Sequence, residues 1–119
     1  MKITDLYWLA GIIEGEGCFS TGVPKGKRSA RIRVRVSMAD KDVVMRCMEI
    51  TSLGHVAVRA QHGIGTKDLW GWTVTTQKDT AALMMTLYPL MGVRRQAKIR
   101  ECLADWKAVN KVGRPRASK

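Results

Sequence analysis

The stretch Leu9-Ala10-Gly11-Ile12-Ile13-Glu14-Gly15-Glu16-Gly17 decides the fold. Its small and apolar residues predict a helix, with Gly11 and Gly15 four apart on one face and Ala10 beside them. That spacing lets a second helix approach almost to backbone contact, as in small-xxx-small crossings. The helix then brings two carboxylates, Glu14 and Glu16, to its C-terminal end, where the macrodipole disfavours negative charge. A compensating cation is therefore expected there. The plainer reading of the same residues is a tightly packed helix that ends in two acids.

The chain around this stretch has 119 residues and 45% hydrophobic residues, enough for one folded domain, expected over 1–112. Residues 113–119, Gly-Arg-Pro-Arg-Ala-Ser-Lys, read as a basic, disordered tail. Lys and Arg number 21 against 10 Asp and Glu, a net charge of +11 that points to a polyanion, most simply nucleic acid. Ribosomal and membrane-surface proteins share such a balance. Cys18, Cys47 and Cys102 form no CxxC pair and show no zinc-site spacing with His55 and His62, so they read as buried or half-buried free thiols of a reducing cytosol. No apolar run is long enough to span a membrane, and Lys2 to Asp5 is too polar to begin a signal peptide. The expected setting is a bacterial or phage cytoplasm, with no membrane partner and no small-molecule cofactor.

The first helix is expected over Asp5–Glu14, N-capped by Thr4 and stopped by Gly15 and Gly17. A strand over Cys18–Val23, a turn at Pro24-Lys25-Gly26-Lys27 and a strand over Ser29–Met38 follow. Asp40 N-caps a helix through Ser52, ended by Gly54. Strands over His55–Gln61 and Leu69–Thr76, a helix over Gln77–Tyr88 broken by Pro89, and a helix over Arg94–Asn110 complete the order. The result is an α+β chain, αββαββα(α), whose four strands form one antiparallel sheet with helices on one face.

Strict alternation in the second strand places Arg31, Arg33 and Arg35 on one face and Ile32, Val34 and Val36 on the other. Like charges about 7 Å apart, two strand rises, repel one another, and a polyanion relieves the repulsion. In the same phase Cys18, Ser20 and Gly22 point outward with His55, Ala57, Arg59 and Gln61, and with Gly71, Thr73 and Thr75. Trp70, Trp72, Val74, Val56 and Val58 point to the core. Lys25, Lys27 and Arg28 stand on the first hairpin loop, where they suit phosphates.

The nine-residue stretch resembles the signature of the LAGLIDADG homing endonucleases, with Glu for Asp at 14 and 16 and Gly for Ala at 15. The αββ duplication resembles the same family, and one copy of the motif resembles its homodimeric members. The resemblance implies a saddle-shaped sheet lying in the DNA major groove. Arg31, Arg33, Arg35, Arg59 and Gln61 would then read bases, with Ser20, Gly22, Gly71, Thr73 and Thr75 close to the duplex. It implies a helix-to-helix dimer interface through Leu9, Ala10, Gly11, Ile13, Glu14 and Gly15. It places Glu16, with Gly15 beside it, at a catalytic Mg2+, which Ca2+ or Mn2+ can replace for binding; Glu14 supports packing and charge balance.

The segment Pro89 to Lys98 resembles the family stretch from which a basic side chain reaches the active site: Arg94 first, with Arg95 and Lys98 as alternatives. One departure is Met38, which stands where many relatives carry a polar residue near the catalytic water. The implied function is metal-dependent cleavage of a long, roughly palindromic double-stranded DNA site by an intron-encoded or otherwise mobile homing endonuclease. The alternative is a non-cleaving nucleic-acid-binding protein, either an intron maturase or a transcription regulator. A ribosome-associated basic protein would explain the charge but neither the motif nor the duplication.

Overall fold

A computed structural model describes residues 1–59 and 68–113, with side chains described as far as 109. Helix α1 covers Ile3–Glu16 and passes without a loop into strand β1, Gly17–Gly22. Strand β2 is Arg31–Met38, helix α2 Lys41–Thr51, strand β3 His55–Arg59 and strand β4 Leu69–Val74. Helix α3, Gln77–Leu87, runs into a 3-10 turn at Tyr88–Leu90, and helix α4 covers Val93–Gly113. The α+β order αββαββαα is the expected one. The expected strand end at Gln61, and the tail beyond Gly113, lie outside the described residues.

The first helix is longer than expected at both ends. Leu6 N–H already donates to Lys2 C=O at 3.0 Å, so Thr4 lies inside the first turn and does not cap it. Gly15 does not stop the helix; the stop is Gly17, whose backbone turns extended. A Cβ there would stand 2.8 Å from the Ile13 backbone and side chain, so only glycine permits so abrupt a helix-to-strand corner. Asp40 is the N-cap residue of α2, without a side-chain capping bond. That helix ends at Ser52, in the left-handed region with φ 56°, ahead of Gly54 at φ 77°.

The strands lie in the order β1-β2-β4-β3, all antiparallel. Each αββ unit thus contributes a hairpin, and the hairpins join through β2 and β4. The helices cover one face, where Leu9, Ile13, Phe19, Val34, Val36, Val44, Trp72, Val74, Met84 and Ile99 form the core. The alternating phase read for β1, β2 and β4 is the observed one: Phe19, Ile32, Val34, Val36, Trp72 and Val74 are buried. Trp72 anchors the centre, its Nε1–H donating to Leu53 C=O at 2.9 Å. On β3 only Val56 packs on the core. Val58 shares its face but remains 49% exposed, because β3 is an edge strand.

Strand β4 ends at Val74, two residues short of a partner for Ile32 in its register. The side chain of Gln77 stands in for the missing strand. Its Oε1 accepts from Ile32 N–H at 2.8 Å, and its Nε2 donates to Ile32 C=O at 2.9 Å and Thr75 C=O at 2.6 Å. Gln77→Ala is expected to cost about 1–3 kcal/mol through the unsatisfied backbone of Ile32. Gln77→Glu should cost more, since a carboxylate would face two carbonyl oxygens. Urea unfolding of the three proteins checks the order; equal midpoints would refute it.

Candidate nucleic-acid interface and acidic corner

The four strands carry Arg31, Arg33, Arg35 and Arg59 and no carboxylate. Alternation sends the three β2 arginines to the face without helices, opposite Gly22, Ser20 and Cys18 of β1 in register. Arg35 also pairs with Thr73, and Ser37 with Gly71, on β4. A groove of about 570 Å³ runs over this face, lined by Arg33, Arg35, Arg59, His55, Gly71 and Thr73. Its basic walls and small floor residues suit a phosphate-bearing duplex. Thr75 follows the end of β4 and, with Ser20, Gly22, Arg31 and Arg33, lines a second groove of about 420 Å³.

The first hairpin loop turns as expected, with Lys27 N–H donating to Pro24 C=O at 3.0 Å. Lys25, Lys27 and Arg28 stand exposed on it. Gln61 and His62 lie outside the described residues. Met38 packs on the core side of β2. The polar residue at that strand end on the outer face is Ser37, visible from strand period alone and missed in reading the sequence.

At the C-terminal end of α1 the two carboxylates have different surroundings. Glu14 accepts from Gly92 N–H at 2.8 Å and lies 3.6 Å from Arg95 Nε. Arg95 also donates to Glu14 C=O at 2.9 Å and to Gly17 C=O at 2.7 Å, with its side chain only 12% exposed. The cation expected at this helix end is therefore Arg95, which satisfies the last carbonyls and neutralises Glu14 together. Glu16 is exposed and, among the described residues, has no hydrogen-bond or ion-pair partner.

The proposed basic residues are likewise separated. Arg95 is engaged in closing α1. Arg94 and Lys98 line a groove of about 470 Å³ beside Gly17 and Cys18, together with Glu101. Lys98 Nζ meets Glu101 Oε1 at 3.2 Å, a pair one helical turn apart. The hydrogen bond that Lys98 donates to Glu101, and then the Glu101 charge, raise the Lys98 pKa, so this side chain is a cation rather than a base. Glu101 is a groove residue that sequence reading missed; its i,i+3 spacing from Lys98 was the available signal.

The interface expected on α1 divides between two faces. Leu9 and Ile13 are wholly buried and Ala10 is 6% exposed, all three inside the protomer's own core. A helix lying over a sheet directs its larger apolar side chains inward, so these residues pack within the protomer. The opposite face presents Ile3, Tyr7, Gly11 and Gly15, with Ile3 61% and Tyr7 58% exposed. A Cβ at Gly11 or Gly15 would meet nothing within 4 Å. Among the described residues, the close helix crossing that these glycines permit is thus not made.

Against the expected burial of all three thiols, Cys18 lies exposed on the outer face of β1; Cys47 and Cys102 are buried as expected, and burial pushes both of their thiols up to about 11. Only thiolate reacts, so iodoacetamide at pH 7.5 is expected to label Cys18 alone, at one site per chain. Mass spectrometry of the native protein checks this; labelling of Cys47 or Cys102 at a comparable rate would contradict the packing of α2 and α4.

No family model and no curated protein matches the chain by sequence. Solved structures match its fold. The homing endonuclease I-CvuI, in complex with its target and Ca, superposes with TM-score 0.71 at 18% identity over 97% of this chain and 75% of that one. The archaeal intron-encoded homing endonuclease I-Vdi141I, complexed with DNA, gives 0.63 at 17% over 83% and 65%. The LAGLIDADG meganuclease I-AabMI, bound to uncleaved DNA, gives 0.69 at 18% over 89% and 37%. The chain thus spans three quarters of I-CvuI, just under two thirds of I-Vdi141I and little over a third of I-AabMI. With α1 as its signature helix and two hairpins forming one antiparallel sheet, the chain has the fold of the LAGLIDADG homing endonucleases.

Proposed function

We propose that the chain is a site-specific endonuclease for double-stranded DNA that works as a homodimer, requires Mg2+ and cuts a long, roughly palindromic target. In this reading it is encoded by an intron or another mobile element and acts in a bacterial or phage-infected cytoplasm. The observation that carries the reading is the position of Glu16. This carboxylate, unpartnered among the described residues, ends the helix whose glycine face meets none of them, at the corner where that helix enters the basic sheet. A glycine inside a helix costs about 1 kcal/mol relative to alanine. Two of them facing open space are accounted for by a second copy of α1 that must come close.

The donor set fits a cation shared between protomers. Among the described residues no group of three or more His, Cys, Asp or Glu could hold a metal, so that part of one protomer contains no complete cage. Mg2+ suits a site with one carboxylate from each chain, because it retains water and phosphate oxygens as its remaining ligands. When bound, the cation activates water and neutralises the charge growing on the phosphate. Glu16 of each protomer, beside Gly15, would hold it. Arg94 and the Lys98 ammonium would stabilise the same phosphate charge from the adjoining groove. Glu14 is occupied by Arg95 and Gly92 and keeps the corner in place.

The test is cleavage of a randomised duplex library in Mg2+, with the cut ends sequenced and the protein's mass measured by sedimentation. Enrichment of a near-palindromic site, cut by a species of twice the chain mass, is the expected result. Selective retention of duplex DNA without cutting would replace this reading with a transcription regulator, and preference for structured RNA would replace it with a maturase.

A further inference from the structure

Arg35 is set apart from the other arginines of β2. Its Nε–H donates to Ser37 Oγ at 3.1 Å, and it is half-buried where Arg31 and Arg33 are exposed. The guanidinium lies over Gly71. A Cβ on that residue would stand 3.4 Å from Ser37 Oγ, 3.5 Å from Arg35 Nη2 and 3.6 Å from Nε. Ser37 and Gly71 are a cross-strand pair, one pair nearer the acidic corner than Arg35 and Thr73 on this face. The side chain is thus drawn along the sheet and laid flat by a hydroxyl on one strand and a missing side chain on the next.

We propose that Ser37 and Gly71 form a seat that fixes Arg35 as an end-on reader of guanine, once in each half-site. The inference rests on the DNA reading above. With Nε engaged by Ser37, the donors left to Arg35 are those on its two Nη atoms, a parallel pair in one plane. In the major groove only guanine presents two adjacent acceptors, N7 and O6, to match such a fork. The seat also orders a long side chain before DNA arrives, which removes an entropic cost of binding. Arg31 and Arg33 have no such partner among the described residues and suit adaptable, salt-dependent contacts.

Register fixes where this guanine falls. Arg35 pairs with Cys18, two residues after Glu16, whereas Arg31 pairs with Gly22, four residues and about 13 Å farther along the strand. The selected guanine therefore lies in the part of the half-site nearer the cut phosphates. Ser37 and Gly71 act through Arg35 and are positioning residues.

The experiment is selection from a randomised duplex pool by wild type and by Arg35→Lys, Ser37→Ala, Ser37→Thr and Gly71→Val, scored base by base. Wild type is expected to select guanine at one inner position per half-site. Arg35→Lys should lose that preference, because an ammonium has no planar fork. Ser37→Ala should lower it about tenfold, part of what a bidentate arginine–guanine pair supplies, with the other positions retained. Ser37→Thr keeps the hydroxyl and should restore it, while Gly71→Val crowds the guanidinium and should act like Ser37→Ala. Unchanged preference in Ser37→Ala and Gly71→Val, or a loss spread evenly over all positions, would overturn the seat while leaving the DNA reading intact. Failure of wild type to enrich any duplex sequence would overturn both.

Discussion

Glu16→Gln is expected to abolish metal-dependent strand cleavage while leaving the fold and DNA retention in place. The carboxylate is exposed and has no partner among the described residues, so its replacement by the isosteric amide removes no internal contact. Thermal unfolding should be unchanged. The effect on chemistry is large because a single carboxylate per protomer would hold the cation. A bound metal contributes several kcal/mol to stabilising charge in the transition state, so its loss corresponds to roughly three orders of magnitude or more in rate. DNA binding should stay the same or tighten, since the substitution removes a negative charge beside phosphates, a repulsion of about 1 kcal/mol at 4 Å in water. Retained cleavage in Mg2+ by the amide variant would rule out the role assigned to Glu16. Lost cleavage with a lowered melting temperature would assign the residue a structural role instead.

Gly11→Val and Gly15→Val are expected to separate the dimer without unfolding the protomer. An added Cβ at either position meets nothing within 4 Å in the protomer, so the cost to the isolated domain is limited to helix propensity. Valine is in fact the better helix residue of the two. In the proposed dimer the same atoms would fall where two helix backbones must meet. Overpacking costs about 1–3 kcal/mol per site, and two-fold symmetry places each substitution in the interface twice, giving roughly 2–6 kcal/mol and a dimer weakened about 30-fold to 10⁴-fold. Sedimentation and a melting curve together check the claim: a monomer with unchanged or raised melting temperature is expected. A dimer of wild-type affinity would refute the proposed interface. Cleavage should fall with dimerisation, because each monomer brings only one Glu16.

Arg95 shows most clearly where sequence reading stops. The need for a cation at the end of α1 follows from two carboxylates placed against a helix dipole, and local sequence reveals it. The identity of that cation does not, because Arg94, Arg95 and Lys98 are equally basic in sequence, and contacts over some 78 to 81 residues depend on how α4 crosses α1 and β1. Ser37 is the opposite case. It shares the face of Arg35 by strand period, a relation local to β2 and legible without any tertiary contact.

The amino-acid sequence by itself determined the element order, the basic face of the sheet and the motif helix. These rest on local rules: alternation of period two in β2 is decided within one strand, and glycines four apart share a face in any helix. Only the tertiary structure decided which side of α1 is spent on the core. Both of its faces are small or apolar, so no periodic signal separates Leu9, Ala10 and Ile13 from Ile3, Tyr7, Gly11 and Gly15. The choice is made by the sheet the helix lies on, and that sheet is assembled from strands reaching as far along the chain as Val74.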